Sequence, residues 1–221
     1  MSTCYMCNQE ATSVEHAPPK CLFPATKDVP NQRDYRKNLI TVPSCDDHNS
    51  ATSRDDEHLL YTLSASITCN DVGLNQFLTK VKRALERSPT FASTILVGSE
   101  PVEVFDEDTQ ECQEAFCMHV QGNRLDAVFK KCAYALYFHE TNTKFQGSVT
   151  VVTGFTLYNV PSLNSAIASA IISAEDYFSQ HVARGNNPDV FFYKFEEGEY
   201  TGIMLMYFYG KSKVLVRFDK R

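Results

Sequence analysis

Two short motifs near the start of the chain restrict its fold more than anything else in the sequence. Cys4-Tyr5-Met6-Cys7 is a C-x2-C knuckle, and Cys45-Asp46-Asp47-His48 is a C-x2-H knuckle. Together they supply three thiolates and an imidazole, the donor set of a closed tetrahedral zinc site. The first 60 or so residues otherwise contain prolines, loops and little apolar periodicity. A segment that short builds little core of its own and needs a staple such as a metal. A redox C-x-x-C belongs beside a βαβ pattern, which is absent here. A closed four-ligand site leaves no open position for a substrate, so any chemistry must come from residues between or beside the knuckles.

Charge and hydropathy narrow the setting. The 221 residues carry a net charge of -6, which argues against a broad basic coat for nucleic acid but leaves room for a local basic groove. Met1 to Glu10 has no apolar run of the signal-peptide kind. No run of about 18 apolar residues occurs, so no membrane span is expected and the chain reads as cytoplasmic. In a reducing compartment Cys21, Cys69, Cys112, Cys117 and Cys132 are expected to be buried free thiols behaving as small hydrophobes.

The predicted class is α+β, with a zinc-stapled module over residues 1–66 and an α+β domain with a mainly antiparallel sheet over 67–221. A helix is predicted to open after Ser53, with Asp56 in the capping-box position and Leu59, Leu60 and Leu63 as its apolar stripe. Residues 73–88 read as a helix ended near Pro89, and 103–112 as a short strand followed by an exposed loop. Leu125, Val128, Phe129, Cys132 and Leu136 recur at helical spacing. So do Leu163, Ala166, Ile167, Ala170, Ile171, Ala174 and Phe178, with Gly185 as the expected stop. Residues 148–158, 189–195, 200–210 and 213–218 are strand-like. Short Gly-containing turns join the last three, which predicts an antiparallel meander. The basic end of the chain, from Lys211, reads as an edge strand protected by Lys and Arg.

Between the knuckles lies Glu15-His16-Ala17-Pro18-Pro19-Lys20, and Asn38-Leu39 precedes the second knuckle. In this order, with Asn49 just after His48, the pattern resembles the zinc-containing branch of the HNH endonuclease family. The resemblance covers roughly residues 1–60. It implies a ββα-metal, treble-clef-like module in an HNN-like variant. By position, His16 resembles the general base that activates water against a phosphodiester, a task for which a neutral imidazole is suited. Glu15 and Asn49 resemble the ligands of a catalytic divalent ion, Mg²⁺, Mn²⁺ or Ni²⁺, and Asn38 resembles a structural member of the loop presenting His16. Two positions depart from the family pattern: His48 stands where a cysteine is common, and Glu15 where Asp is common. Pro18 and Pro19 restrict the backbone just past the expected base.

Other readings stand beside these. Glu15-His16 can be a solvated turn and Asn49 a cap. Asp55 and Asp56 fit a helix N-terminus better than a metal site. His58 is expected to be exposed, and His139-Glu140 sits near a helix end. Lys20, Arg33, Arg36, Lys37 and Arg54 are the expected nucleic-acid contacts. The functional expectation is a metal-dependent endonuclease, with DNA favoured, and the resemblance makes foreign-DNA or phage defence its setting. The alternatives are a non-catalytic zinc-stapled binding module and an RNA-cleaving toxin-like nuclease. The second domain is expected to serve recognition, regulation or assembly, as a homo-oligomer or with a regulatory protein.

Overall fold

The computed structural model describes residues 2–30, 32–49, 53–88, 93, 98–106 and 110–220. It has mixed α and β structure with antiparallel sheets. Near the start, β1 (Ser13–His16) pairs antiparallel with β2 (Thr41–Ser44), Ser13 opposite Ser44 and His16 opposite Thr41. The segment between them makes two short 3-10 turns, Lys20–Leu22 and Thr26–Asp28. The short helix α1 (Asp46–Asn49) follows β2 directly, then α2 (Ser53–Ser64), whose Leu59, Leu60 and Leu63 are buried as their spacing requires.

The helix predicted over 73–88 is present but interrupted. α3 (Asp71–Gln76) opens on Asn70, whose side chain accepts from the Gly73 N–H; a π turn (Phe77–Val81) then leads into α4 (Lys82–Arg87). The stop expected at Pro89 and the middle of the loop expected over 103–112 lie outside the described residues. The ends of that loop belong to a hairpin, β3 (Glu100–Asp106) against β4 (Glu111–Cys117). The expected strand therefore has a partner where only loop was expected.

α5 (Gly122–Thr141) buries Leu125, Val128, Phe129, Cys132 and Leu136. It ends at Asn142, whose left-handed backbone suits an Asn C-cap. β5 (Gly147–Thr153) comes next, then α6 (Pro161–Tyr177). Four strands follow: β6 (Arg184–Asn187), β7 (Phe191–Glu197), β8 (Thr201–Phe208) and β9 (Ser212–Lys220). The sheet order is β5-β9-β8-β7-β6, antiparallel throughout. The expected meander is therefore β7-β8-β9.

Two expectations about this half are corrected. β9 is an interior strand between β5 and β8, and its charges are paired: Lys213 with Glu175, Arg217 with Asp219, Lys220 with Glu197. The basic pattern is one of ion pairs beside a buried strand, not of edge protection. Gly185 does not end α6. The helix ends at Tyr177, where the Ser179 N–H turns to the Asp176 carbonyl and Lys194 Nζ takes up the Phe178 carbonyl. Gly185 instead lies in β6 at φ +117, where a Cβ would come within 3.1 Å of the Phe191 carbonyl oxygen.

Apolar side chains on one sheet face form the main core. It runs from Cys4, Tyr5 and Leu22 through Leu59, Leu63, Phe129 and Leu136 to Met204, Phe208 and Phe218, and crosses residue 66 without a break. On the other face Ile171, Ala174 and Phe178 of α6 pack on Leu205 and Tyr207. Among the described residues no helix is long and apolar enough to cross a membrane.

Candidate metal centre and adjoining hairpin

Each knuckle is folded by its own backbone. The Cys4 N–H donates to the Gln9 carbonyl and Thr3 bridges Glu10, which closes the first turn. In the second, the His48 and Asn49 N–H groups both donate to the Cys45 carbonyl, so Cys45 and His48 flank the start of α1. β2 brings the two together: the Tyr5 N–H donates to the Pro43 carbonyl and the Thr12 N–H to that of Ser44. Thr12 Oγ1 donates to Asp46 and Gln9 Nε2 to Asp47, which fastens α1 to the same end.

The result is a cluster of Cys4, Cys7, Cys45 and His48, all donor atoms within 4.8 Å of one another. Cys7 Sγ lies 3.7 Å from Cys45 Sγ. His48 Nδ1 lies 3.6 Å from Cys4 Sγ and 3.2 Å from Cys45 Sγ. A tetrahedral zinc with Zn–S near 2.3 Å and Zn–N near 2.0 Å requires S–S edges of about 3.8 Å and S–N edges of about 3.5 Å. The donor set therefore fits a metal such as zinc in both chemistry and spacing. Burial works against the Cys4 thiolate, but the Met6, Cys45 and Cys7 backbone N–H groups outweigh it and lower its pKa to about 6. A pre-formed thiolate is the state a metal binds.

Away from the cluster, the hairpin splits its two expected functional residues between faces. Successive side chains on a strand point to opposite sides. Val14 and His16 share the outer face, the first exposed and the second half-buried, while Glu15 points inward and is 4 % exposed. Burial, then the Lys20 charge, lower the His16 pKa and keep the ring neutral at pH 7. Asn49 reaches β1 with its amide nitrogen, which donates to Ser13 Oγ at 2.9 Å and to the Val14 carbonyl at 3.2 Å. Val14 and His16, two positions apart on β1, are about 7 Å apart along the strand.

Glu15 meets a residue that the sequence pattern did not single out. Lys131 of α5 places Nζ 3.4 Å from Glu15 Oε1 and 2.9 Å from Asp56 Oδ1. Glu15 Oε2 is buried without a hydrogen-bond partner. One ammonium thus faces one buried carboxylate, Glu15, and one half-buried carboxylate, Asp56. Burial raises the Glu15 pKa from 4.5 to about 7 despite the pull of Lys131. Burial alone would lower Lys131, but Asp56 and Glu15 hold it up and charged. A divalent ion at Glu15 would have to displace or sit beside this ammonium. The Glu15–Asn49 pair in this arrangement does not fit a catalytic cation.

The raised Glu15 pKa sets a sign for stability. A carboxyl that holds its proton more tightly in the folded chain contributes most below its unfolded value, and the contribution is lost as pH rises through about 7. Urea unfolding with zinc in excess should therefore show the wild type losing more stability than Glu15→Gln between about pH 5 and 8. Parallel curves for the two proteins would remove Glu15 as the cause.

The remaining expected residues divide by what they touch. Asn38 has a left-handed backbone at φ 56 and its carbonyl accepts from Asn186 Nδ2, while the Lys37 carbonyl accepts from Asn187 Nδ2. The loop before β2 is thereby tied to β6. Arg33 pairs with Asp189 at 2.6 Å and lies over the Tyr35 ring; Arg36 Nε donates to the Phe23 carbonyl. Lys20, Lys37 and Arg54 are exposed. Asp55 pairs with Arg124 at 2.5 Å and Asp56 with Lys131, so both first-turn acids of α2 bind α5. Two expectations fail. His58 is half-buried with Nε2 unpartnered, since α2 lies against the core. Cys112 and Cys117 are exposed, because the β3–β4 hairpin stands clear of the core; Cys132 is buried as expected, and Cys21 and Cys69 are half-buried. Glu140 binds Arg184 and the Tyr193 hydroxyl.

Lys131 carries a signal the pattern reading passed over. It follows Val128 by three residues and sits beside Cys132 on the buried stripe, and a charge there requires a buried partner.

No family model, curated protein or solved structure matches the chain.

Proposed function

We propose that residues 1–66 form a treble-clef-like ββα-metal unit of the HNH type that hydrolyses phosphodiester bonds, with DNA the favoured substrate. The observation supporting this most is the outer face of β1: a neutral, half-buried His16, on a strand whose far end is closed by the Cys4-Cys7-Cys45-His48 cluster and which Asn49 grips at Val14. In this reading the cluster holds zinc structurally. His16 accepts a proton from water as its oxygen attacks phosphorus, and the P–O bond to the sugar oxygen breaks, that oxygen leaving as a hydroxyl with a proton from solvent. Exposed Lys20, Lys37 and Arg54 supply phosphate contacts that salt would weaken. A catalytic Mg²⁺, Mn²⁺ or Ni²⁺ belongs to this reading by resemblance alone.

The pairing of Glu15 with Lys131 favours a second reading, a zinc-stapled module without chemistry. Plasmid DNA and structured RNA, incubated with the protein in each of the three metals, separate the two. Cleavage should fall by about a hundredfold or more in His16→Ala with zinc content unchanged. An inert wild type that retains its zinc selects the binding module. Undiminished cleavage by His16→Ala refutes the assigned base, and cleavage confined to RNA replaces the substrate.

A further inference from the structure

The β3–β4 hairpin has a sheet face that nothing in the proposed chemistry uses. Its register places Pro101 opposite Phe116, Glu103 opposite Glu114 and Phe105 opposite Cys112, all on one face by the pleat. Every residue of that face is exposed. Phe105 is 53 % and Phe116 70 % exposed. The half-covered residues of the hairpin, Val104 and Ala115, lie on the other face.

Such a hairpin is unfavourable as it stands. Two strands alone are marginal in water, and like charges directly opposite one another destabilise a sheet. The aromatic rows flank that acid pair on both sides, so the face offers two carboxylates between two rings.

Charge selects what covers it. The chain has 27 Asp and Glu against 21 Lys and Arg; seven of the acids lie between Ser88 and Asn123, where there is no Lys or Arg. The rest of the chain is therefore one charge to the positive side, and the net negative charge belongs to this segment. A second copy of the face would set acid pair against acid pair. Nucleic acid and anionic lipid carry the same sign as the hairpin. A lysine or arginine side chain instead places its cation between Glu103 and Glu114 and its stem or guanidinium plane along Phe105 and Phe116.

We propose that the β3–β4 hairpin is a docking arm for a basic polypeptide, gripped on the Phe105–Glu103–Glu114–Phe116 face. Binding neutralises the cross-strand repulsion and covers the aromatics, and the association is salt-sensitive because rim charges dominate it.

The test uses the full-length, zinc-loaded protein and a dye-labelled peptide of alternating Lys and Leu, followed by anisotropy, with a Glu/Leu peptide as control. The basic peptide should bind and the acidic one should not, and raising salt from about 50 to 300 mM should weaken binding several-fold. Phe105→Ser/Phe116→Ser and Glu103→Gln/Glu114→Gln should each weaken it by about tenfold or more. Because the face does not enter the core, both variants should keep the wild-type zinc content and melting midpoint. Equal binding by wild type and the two variants overturns the proposal, as does no binding up to about 1 mM peptide. A concentration-dependent dimer that the Phe variants abolish overturns it in favour of a second copy. Competition by DNA that is lost in the arm variants overturns it in favour of nucleic acid.

Discussion

Cys45→Ser is expected to empty the metal cluster and unfold the first hairpin. Zinc measured by mass spectrometry should fall from about one per chain to near zero. The thermal transition should broaden and shift down strongly, since structural zinc supplies roughly 10–16 kcal/mol of apparent binding free energy in small zinc-folded peptides. Two features make the effect large here. The hairpin joins strands of four residues each, too few to hold register alone. Cys4, Tyr5 and Cys45 also belong to the main core, at 0 %, 1 % and 2 % exposure, so loss of the cluster opens apolar surface shared with α2 and α5. A chelator should reproduce the result on the wild type. His48→Cys should retain zinc, because a fourth thiolate satisfies the same geometry. Retained zinc and an unchanged midpoint in Cys45→Ser would refute the staple.

The second large effect is expected at Lys131. Lys131→Met keeps much of the side chain's volume but leaves the buried Glu15 and the half-buried Asp56 without their ammonium. Removing one partner of a buried ion pair costs about 3–5 kcal/mol, because the charge left behind is uncompensated. For a chain of this size that is a fall in melting midpoint of roughly 10 °C. The triple variant Lys131→Met/Glu15→Gln/Asp56→Asn should recover most of the loss, since removing all three charges also removes their desolvation penalty. If Lys131→Met alone melts like the wild type, this ion group does not hold α5 against the hairpin and α2.

How far the sequence discloses this fold depends on how local each cause is. The knuckles are legible because a tetrahedral metal site demands its own ligand spacing, and Cys4, Cys7, Cys45 and His48 meet in one cluster. The α5 stripe and the β7-β8-β9 meander are legible because helical period and short turns lie within a few residues. β4 is not, since Glu111-Cys112-Gln113-Glu114 lacks the apolar alternation of a half-buried strand: neither face of that arm meets the core. Nor is the end of α6, where Lys194 of β7 takes up the Phe178 carbonyl, a tertiary contact that a downstream glycine does not report. At the candidate site, the Cys4-Cys7-Cys45-His48 cluster lies within one short module and could be read in order. The setting of Glu15 could not, because its partner arrives from a helix more than a hundred positions away, and only folding reveals that the carboxylate faces an ammonium.

The core that crosses residue 66 orders events in time. The Tyr209 hydroxyl donates to the Leu22 carbonyl, and Gln76 Nε2 donates to the Cys21 and Leu22 carbonyls. All four residues of the candidate metal cluster are in the chain by residue 48, whereas the Leu22 contact waits for residue 209. At synthesis rates of about 5–20 residues per second, roughly 8–30 s separate the two. During that interval the four donor side chains are already in the chain while the groups that cover Leu22 and its neighbours have not yet been made. The candidate metal cluster and the cover over the adjoining core are therefore completed at different times as this chain is synthesised.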